Sequence, residues 1–126
     1  LSVDSPFWMA PEVLKEGDVG FAADIWSLGC TMVELLTGAP PYWSGGEPML
    51  AIYRILEPTS AVPLPANVSP EVKSLLSQCL MKNPVKRSTA EELLHHPVIK
   101  KALATIDDKD EDSRGLTRQL RASLSN

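Results

Sequence analysis

The sequence predicts an all-α fold for most of the chain. Apolar residues recur at spacings of three and four in several segments, which is the period of an amphipathic helix. Eleven prolines divide the 126 residues into short segments joined by rigid turns. We find no segment with the alternation that is typical of a strand. At 44% hydrophobic and 22% charged residues, the composition is that of one globular domain with a hydrophobic core.

The first predicted helix is short and begins at Pro11. Proline is pre-organised for the first position of a helix, and the acid Glu12 suits the positive end of the helix dipole. Residues 15–20 are polar and bounded by glycine, so we expect a loop between this helix and the next one.

Residues 23–36 form the longest apolar run and predict a central helix. Helical spacing assigns one stripe of it to Ile25, Leu28, Met32 and Leu35. Apolar residues also occupy its other faces: Trp26, Cys30 and Val33. A helix that is apolar nearly all round is expected to be buried in a protein core, and this one is too short and too charged to span a bilayer. Gly38 and the two prolines after it end the helix.

Three later segments predict further helices. The first begins near Glu47, and its apolar stripe is Met49, Ile52, Tyr53 and Leu56. The second is capped by Ser69, with Pro70 in its first turn, and its apolar positions are Val72, Leu75, Leu76, Cys79 and Leu80. The third opens with a capping box, in which Ser88 is the N-cap and Glu91 the acid three residues later.

The last part of the chain has a different character. Residues 107–112 are a run of charges without apolar content, and Leu116, Leu120 and Leu124 follow among arginines. So short a helix is marginal alone, so we expect residues 104–126 to be a charged, disordered tail that folds only on a partner.

Composition excludes some classes of function. The net charge is −4 at pH 7, so no large basic surface favours nucleic acid or an acidic membrane. Cys30 and Cys79 lie within apolar helical patterns and are expected to be small core residues, typical of a reducing cytosolic or nuclear compartment. No metal-ligand spacing joins them to His95 and His96, so we expect no metal site. Because the chain begins at Leu1 and not at Met, we expect a piece of a longer protein.

Several separated motifs resemble the C-terminal half of a eukaryotic protein kinase catalytic domain. They are Ser-Pro-Phe-Trp-Met-Ala-Pro-Glu at residues 5–12, Asp-Ile-Trp-Ser-Leu-Gly at 24–29, the segment 38–42, Arg87 and His96-Pro97. The resemblance covers residues 1–103 and is strongest to the STE group, especially MAP kinase kinase kinases. It implies the helical C-lobe portion of the two-lobed α+β kinase fold, preceded by the end of the activation segment.

The resemblance also implies roles for individual residues. Those expected to bind substrate, in the loop that contacts the residue after the phosphoacceptor, are Ser5, Pro6, Phe7 and Trp8. Those expected to be structural are Glu12 paired with Arg87, Asp24 as a clamp on the catalytic loop, Trp26, Gly29 and His96. Ser2 lies where regulatory phosphorylation occurs in such kinases. For Tyr53, an exposed docking role and core packing are equally compatible with the pattern.

The implied activity is transfer of the γ-phosphoryl group of ATP, with Mg²⁺, to Ser or Thr of a protein substrate such as a downstream kinase. The expected setting is a MAP kinase cascade in the cytoplasm, with access to the nucleus. The glycine-rich loop, the strand lysine, His-Arg-Asp and Asp-Phe-Gly are not in these residues, so we expect this chain alone to bind no ATP and to be inactive. The alternative is a noncatalytic helical docking module, either a pseudokinase lobe or a truncated scaffold. The sequence pattern assigns no oligomeric state.

Overall fold

The computed structural model describes residues 6–124, except for the side chain of Thr117. Within this range a 3-10 turn at Pro6–Trp8 is followed by six α-helices and no strand, so the all-α prediction is confirmed. The helices are α1 (Pro11–Glu16), α2 (Phe21–Thr37), α3 (Pro48–Leu56), α4 (Pro70–Cys79), α5 (Ala90–Leu94) and α6 (Pro97–Leu124).

Helix α2 is the central element, but it is buried on only part of its surface. It packs against α4 and the 3-10 turn, and its buried residues are Ala23, Ile25, Trp26, Gly29, Cys30 and Val33. In the stripe predicted from spacing, Ile25 is buried, whereas Leu28 is exposed and Leu35 is 81% exposed. The prediction of a helix buried all round is therefore wrong for the described residues, because they provide neighbours on one side of α2 only.

Gly29 allows α2 and α4 to approach closely. A Cβ atom at this position would lie 2.8 Å from Cβ of Cys79 and 2.9 Å from Cδ2 of Leu80. Real Cβ atoms do not approach other carbon atoms that closely, so the two helices share a surface that only glycine permits.

Helix α3 forms where expected but buries a different face. Its fully buried residues are Ala51 and Ile55, whereas Met49 is 73% exposed and Tyr53 is 69% exposed. The predicted stripe included Met49, Ile52, Tyr53 and Leu56, and of these only Ile52 is partly buried against the body. The error arose because small Ala51 was not counted as a core position, although it lets α3 approach the 3-10 turn and α1.

The N-terminus of α4 matches its prediction, and that of α5 is shifted by one residue. Ser69 caps α4, and its hydroxyl accepts a hydrogen bond from the amide of Val72 at 3.2 Å. In α5 the N-cap is Thr89, and the capping box joins Thr89 and Glu92. Ser88 cannot serve because its hydroxyl donates to Oε1 of Gln78 at 3.2 Å, and its amide donates to the carbonyl of Gln78 at 3.2 Å.

The prediction of a disordered tail differs from the structure. Helix α6 continues without a break to Leu124, and its side chains from Lys100 onward are exposed wherever they are described. Good helix formers fill most of this segment, and Arg114 pairs with Asp110 one turn earlier at 3.7 Å, which supports a helix locally. The division of the chain at residue 103 stays a prediction.

The two cysteines are buried in the core as free thiols, and burial raises the pKa of Cys30 to about 12 and that of Cys79 to about 11. Since the reactive thiolate falls tenfold per pKa unit, we expect both to react with a maleimide about a hundredfold or more slowly than an exposed cysteine. Mass spectrometry of the modified peptides measures this, with urea-unfolded protein as the control. Rapid labelling of either residue in the folded protein would contradict the buried placement.

Candidate functional site

The 3-10 turn at Pro6–Trp8 is fixed to helix α2 by two side-chain hydrogen bonds. The hydroxyl of Ser27 donates to the carbonyl oxygen of Trp8 at 2.7 Å. The indole N–H of Trp8 donates to Oε2 of Glu34 at 2.8 Å. Together they anchor both the backbone and the ring of Trp8, so the turn has one defined position on the helix.

Phe7 is packed inside the protein between two tryptophans. Its ring centroid lies 6.1 Å from that of Trp8, edge to face, and 4.9 Å from that of Trp43. Pro6 is buried as well. Both side chains contact the protein's own core in this conformation, and their predicted substrate contacts stay a prediction. Ser2 and Ser5, also predicted from the resemblance, lie outside the described residues.

Glu12 and Arg87 form a bidentate ion pair. Nη1 of Arg87 lies 2.6 Å from Oε1 of Glu12, and Nη2 lies 3.0 Å from Oε2, although the two residues are 75 positions apart. The side chain of Arg87 is fully buried and that of Glu12 is 11% exposed. The pair joins the segment that carries Trp8 to the loop between α4 and α5.

The remaining donors of Arg87 are also satisfied. Its Nη1 donates to the carbonyl of Ala22 at 2.6 Å, and its Nε donates to that of Met81 at 2.8 Å. The guanidinium carbon lies 5.3 Å from the ring centroid of Trp26, within cation-π range. Arg87 therefore connects α1, the N-terminus of α2 and the α4–α5 loop at one point.

The electrostatics of the pair follow from this arrangement. Burial alone would raise the pKa of Glu12, but the hydrogen bonds and charge of Arg87 outweigh it, so the pKa of Glu12 is lowered. Glu12 therefore stays ionised at neutral pH, and its pairing is lost only in acid.

Asp24 lies in the first turn of α2 and is exposed. Its carboxylate forms no hydrogen bond with another described residue. It borders a groove of about 480 Å³, whose lining includes Phe21, Ile25, Val85 and Ala90. Phe21 is 91% exposed and Val85 is exposed too. An exposed apolar surface therefore lies beside the buried ion pair, with the carboxylate of Asp24 at its edge.

A second apolar groove follows the exposed stripe of α2. It has a volume of about 250 Å³, and its lining includes Leu28, Met32, Leu75, Leu93 and Ile99. Helices α2, α4, α5 and α6 all contribute to it. The surface is suited to packing against a further apolar segment.

His96 is buried and fixed by two hydrogen bonds. Its Nδ1 accepts from the amide of Val98 at 3.3 Å, so the proton of the neutral ring is on Nε2, which lies 3.3 Å from the hydroxyl of Ser74. His96 thus ties the start of α6 to α4. Among the residues that the structure describes, no group of His, Cys, Asp and Glu side chains could hold a metal ion.

Lys82 has a structural role that sequence reasoning missed. Its ammonium group donates to the carbonyl of Arg54 at 3.0 Å, to Oγ of Ser60 at 2.9 Å and to the carbonyl of Glu57. Burial lowers its pKa. Lys82 thereby satisfies carbonyls at the C-terminal end of α3. No local pattern could have found it, because its partners are more than 20 residues away in the sequence.

Between Pro6 and Leu124, no helix combines the length and the apolar content that crossing a membrane requires.

Comparison with known proteins gives one consistent result. A family model described as "Protein kinase domain" matches residues 2–99. The cytokinesis protein sepH of Aspergillus terreus is 50% identical over 97 residues, which are 77% of this chain and 7% of that protein. Mitogen-activated protein kinase kinase kinase 5 of Arabidopsis thaliana is 40% identical over 115 residues, which cover 86% of this chain and 16% of that protein. MAP3K epsilon protein kinase 1 of Brassica napus is 46% identical over 98 residues, 78% of this chain and 7% of that protein. The chain thus spans less than a fifth of the length of these relatives.

Proposed function

Because this chain belongs to the protein kinase domain family, we propose that it forms the helical C-lobe part, residues 1–103, of a serine/threonine protein kinase. The intact protein would transfer the γ-phosphoryl group of ATP to Ser or Thr of a protein substrate in a MAP kinase cascade. A downstream kinase is the proposed substrate, and the cytoplasm, with access to the nucleus, is the proposed location. Two buried free thiols are in keeping with a reducing compartment.

Protein kinases use ATP and Mg²⁺, but the residues of this chain do not fit either group. The sequence contains no Gly-x-Gly-x-x-Gly, no His-Arg-Asp and no Asp-Phe-Gly. No cluster of possible metal ligands occurs among residues 6–124. We therefore assign to this chain the positioning of substrate and of the catalytic loop, and no step of the phosphoryl transfer itself.

The observation that carries the proposal is the Glu12–Arg87 pair. It fixes the segment after Trp8 to the helical body through two charge-assisted hydrogen bonds of 2.6 and 3.0 Å. A rigid segment of this kind lets a peptide substrate meet a surface of defined shape. In this proposal Trp8, which is partly exposed, contacts the substrate, while Pro6 and Phe7 hold the loop from beneath. Ser5 stays a proposed substrate-side residue and Ser2 a proposed phosphosite.

Asp24 supplies the sharpest test. We propose that its exposed carboxylate accepts hydrogen bonds from backbone amides of a catalytic loop that packs on the groove beside it. The full-length protein should phosphorylate a serine-containing protein in the presence of Mg²⁺ and ATP. Asp24→Asn should lower kcat by about tenfold or more, because small displacements of catalytic groups cost rate steeply. Its melting temperature should change little, because the side chain is exposed.

Asp108→Asn, on the exposed surface of α6, is the matched control and should retain full activity. A wild-type protein without phosphoryl transfer, or equal loss of activity in both variants, would contradict the proposal.

The second candidate is a noncatalytic docking module, and the surface of α3 favours it. Met49 and Tyr53 lie largely exposed one turn apart, and Trp43 is half exposed. Large apolar side chains grouped on a surface are typical of a protein-binding site. A full-length protein that binds its partner through these residues without transferring phosphate would establish this function instead.

A further inference from the structure

The C-terminal end of α6 differs in charge from the rest of the protein. Residues 113–126 contain three arginines, Arg114, Arg118 and Arg121, and no acidic residue. The chain as a whole has a net charge of −4, and residues 107–112, immediately before this end, are mostly acidic. A cationic segment of this kind is attracted to a cleft that is lined by carboxylates. The proposed kinase function makes no use of it.

Ser123 lies in the last turn of α6, and its side chain is exposed. Its hydroxyl donates to the carbonyl oxygen of Gln119, one turn earlier, at 3.0 Å. The described side chains of α6 from Lys100 onward are all exposed, so the body that the structure describes does not pack against this turn. The end of a helix without such packing opens easily. Ser123 is therefore accessible as a side chain and, when the helix end opens, as part of an extended peptide.

The residues around Ser123 have the arrangement that a kinase selecting basic substrates recognises. Arg121 and Arg118 lie two and five residues before the serine, and Leu124 follows it. In an extended peptide the two arginines would lie about 7 and 17 Å from the serine, at roughly 3.3 Å per residue. Guanidinium groups form bidentate hydrogen bonds with carboxylates, so a cleft of acidic side chains can bind both of them.

The helical conformation separates the arginines from the serine. At 100° per residue, Arg121 lies about 160° and Arg118 about 140° around the helix from Ser123. A single cleft therefore cannot contact all three while the segment is helical. Opening of the last two turns brings the arginines and the serine into one extended peptide, so the conformation of the helix end controls access to the site.

We propose that Ser123 is a phosphorylation site for a second protein kinase, one that selects serines preceded by arginine. The hydroxyl oxygen of Ser123 attacks the γ-phosphorus of ATP bound to that kinase, and the bond from this phosphorus to the oxygen bridging the β-phosphate breaks. The hydroxyl proton passes to a basic side chain of the second kinase, and the products are phosphoserine and ADP. This goes beyond the proposed function, because the chain is here the substrate and not the enzyme.

Phosphorylation of Ser123 should unwind the end of α6. A phosphoserine carries a charge of about −1.5 to −2 at pH 7, and its ester oxygen has no proton to donate to the carbonyl of Gln119. The new charge lies at the C-terminal end of a helix, where the helix dipole is already negative. Phosphorylation therefore acts as a switch from a helical to an extended end of α6.

Phosphorylation of the full-length protein by an added kinase tests the site. The probe is the catalytic subunit of cyclic-AMP-dependent protein kinase, which selects serines preceded by arginine, and a sample without it measures self-phosphorylation. Fragmentation mass spectrometry should place the added phosphate on Ser123. Arg121→Gln should lower the initial rate at Ser123 by about tenfold or more, because one charge-assisted contact is lost.

The matched control is Arg114→Gln, which makes the same change of charge nine residues before the serine and should leave this rate unchanged. No phosphate on Ser123 in the wild type, or equal rates at Ser123 in the two variants, would overturn the proposed site.

Amide hydrogen exchange measures the effect on the helix. In the phosphorylated protein the amides of residues 120–124 should exchange about threefold or more faster than in the untreated protein, because local opening becomes more frequent. The amides of α4 should exchange at the same rate in both. Ser123→Ala, treated with the same kinase, should keep the exchange rates of its untreated form. Unchanged exchange at residues 120–124 in the phosphorylated wild type would overturn the proposed switch.

Discussion

Replacing Arg87 by alanine should lower the free energy of unfolding by about 3–5 kcal/mol, the range for breaking a buried ion pair from one side. The substitution leaves the carboxylate of Glu12, whose side chain is 11% exposed, without its counter-charge. It also removes the donors to the carbonyls of Ala22 and Met81. Urea unfolding of the full-length protein measures the change. Under the proposed function, kinase activity should fall as well, because the segment proposed to contact the substrate loses its anchor.

Two further variants of the same chain sharpen this prediction. Lys101→Ala breaks an ion pair whose side chains are 73% and 52% exposed. It should lower the free energy of unfolding by no more than about 1 kcal/mol, because exposed ion pairs contribute little. Arg87→Lys should recover only part of the loss, because lysine cannot make the bidentate contact. Equal effects of Arg87→Ala and Lys101→Ala would show that the buried pair does not contribute as the geometry requires.

The pairing also predicts how stability depends on pH. The pKa of Glu12 is lower in the folded protein than its ordinary value of 4.5. Its contribution is therefore fully present above pH 4.5 and is lost as the pH falls through the lower folded pKa. The Arg87→Ala variant should lose less stability than the wild type over this acid range. Urea unfolding at a series of pH values measures this. If the free energy of unfolding fell equally in both proteins, the Glu12–Arg87 pair would not be the source of the acid sensitivity.

Gly29→Ala should have the second largest effect. It should lower the free energy of unfolding by about 1–3 kcal/mol, which is the usual cost of overpacking a core. The added Cβ would lie 2.8 Å from Cβ of Cys79, an atom that cannot rotate away, so α2 and α4 must separate. Alanine normally stabilises a helix relative to glycine, so any loss reports on packing and not on helix propensity. Thermal unfolding of the full-length protein measures the effect.

Gly115→Ala is the matched control, since Gly115 also lies within a helix but has no neighbouring atom within 4 Å of the point where a Cβ would be added. It should be neutral or stabilising by up to about 1 kcal/mol. If both alanine variants behaved alike, the close approach of α2 and α4 at Gly29 would be contradicted.

Local chemistry in the sequence was sufficient to locate helices α1 to α5, but not α6, most of which was expected to be a disordered tail. Ser69-Pro70-Glu71 predicted the start of α4, and Gly38 predicted the end of α2. Local chemistry did not identify the N-cap of α5, because two neighbouring residues could each cap the helix. Ser88 and Thr89 are each followed three residues later by a glutamate, and the choice of Thr89 depends on Gln78, which engages Ser88 from α4.

Only part of the candidate site could be predicted, because its contacts join residues that are far apart in the chain. The resemblance implied the Glu12–Arg87 contact, whereas spacing alone could not pair residues so far apart in the chain. It also assigned Pro6 and Phe7 to the substrate, yet both are covered by the protein's own core. Lys82 was not predicted at all, because its role exists only once the end of α3 lies beside it.

The sequence by itself determined the all-α class and the order of helices α1 to α5, with several of their ends, because caps, prolines and glycines act on backbone within a few residues. Only the tertiary structure decided which faces are buried, as Met49 and Leu35 on the surface and Ala51 in the core show. Hydrophobic periodicity records that a face is apolar, but burial requires a neighbour, and the neighbour comes from a distant part of the chain or from a second chain. In α2, the central helix, the side that packs against α4 is therefore buried, whereas another apolar side has no neighbour and is exposed.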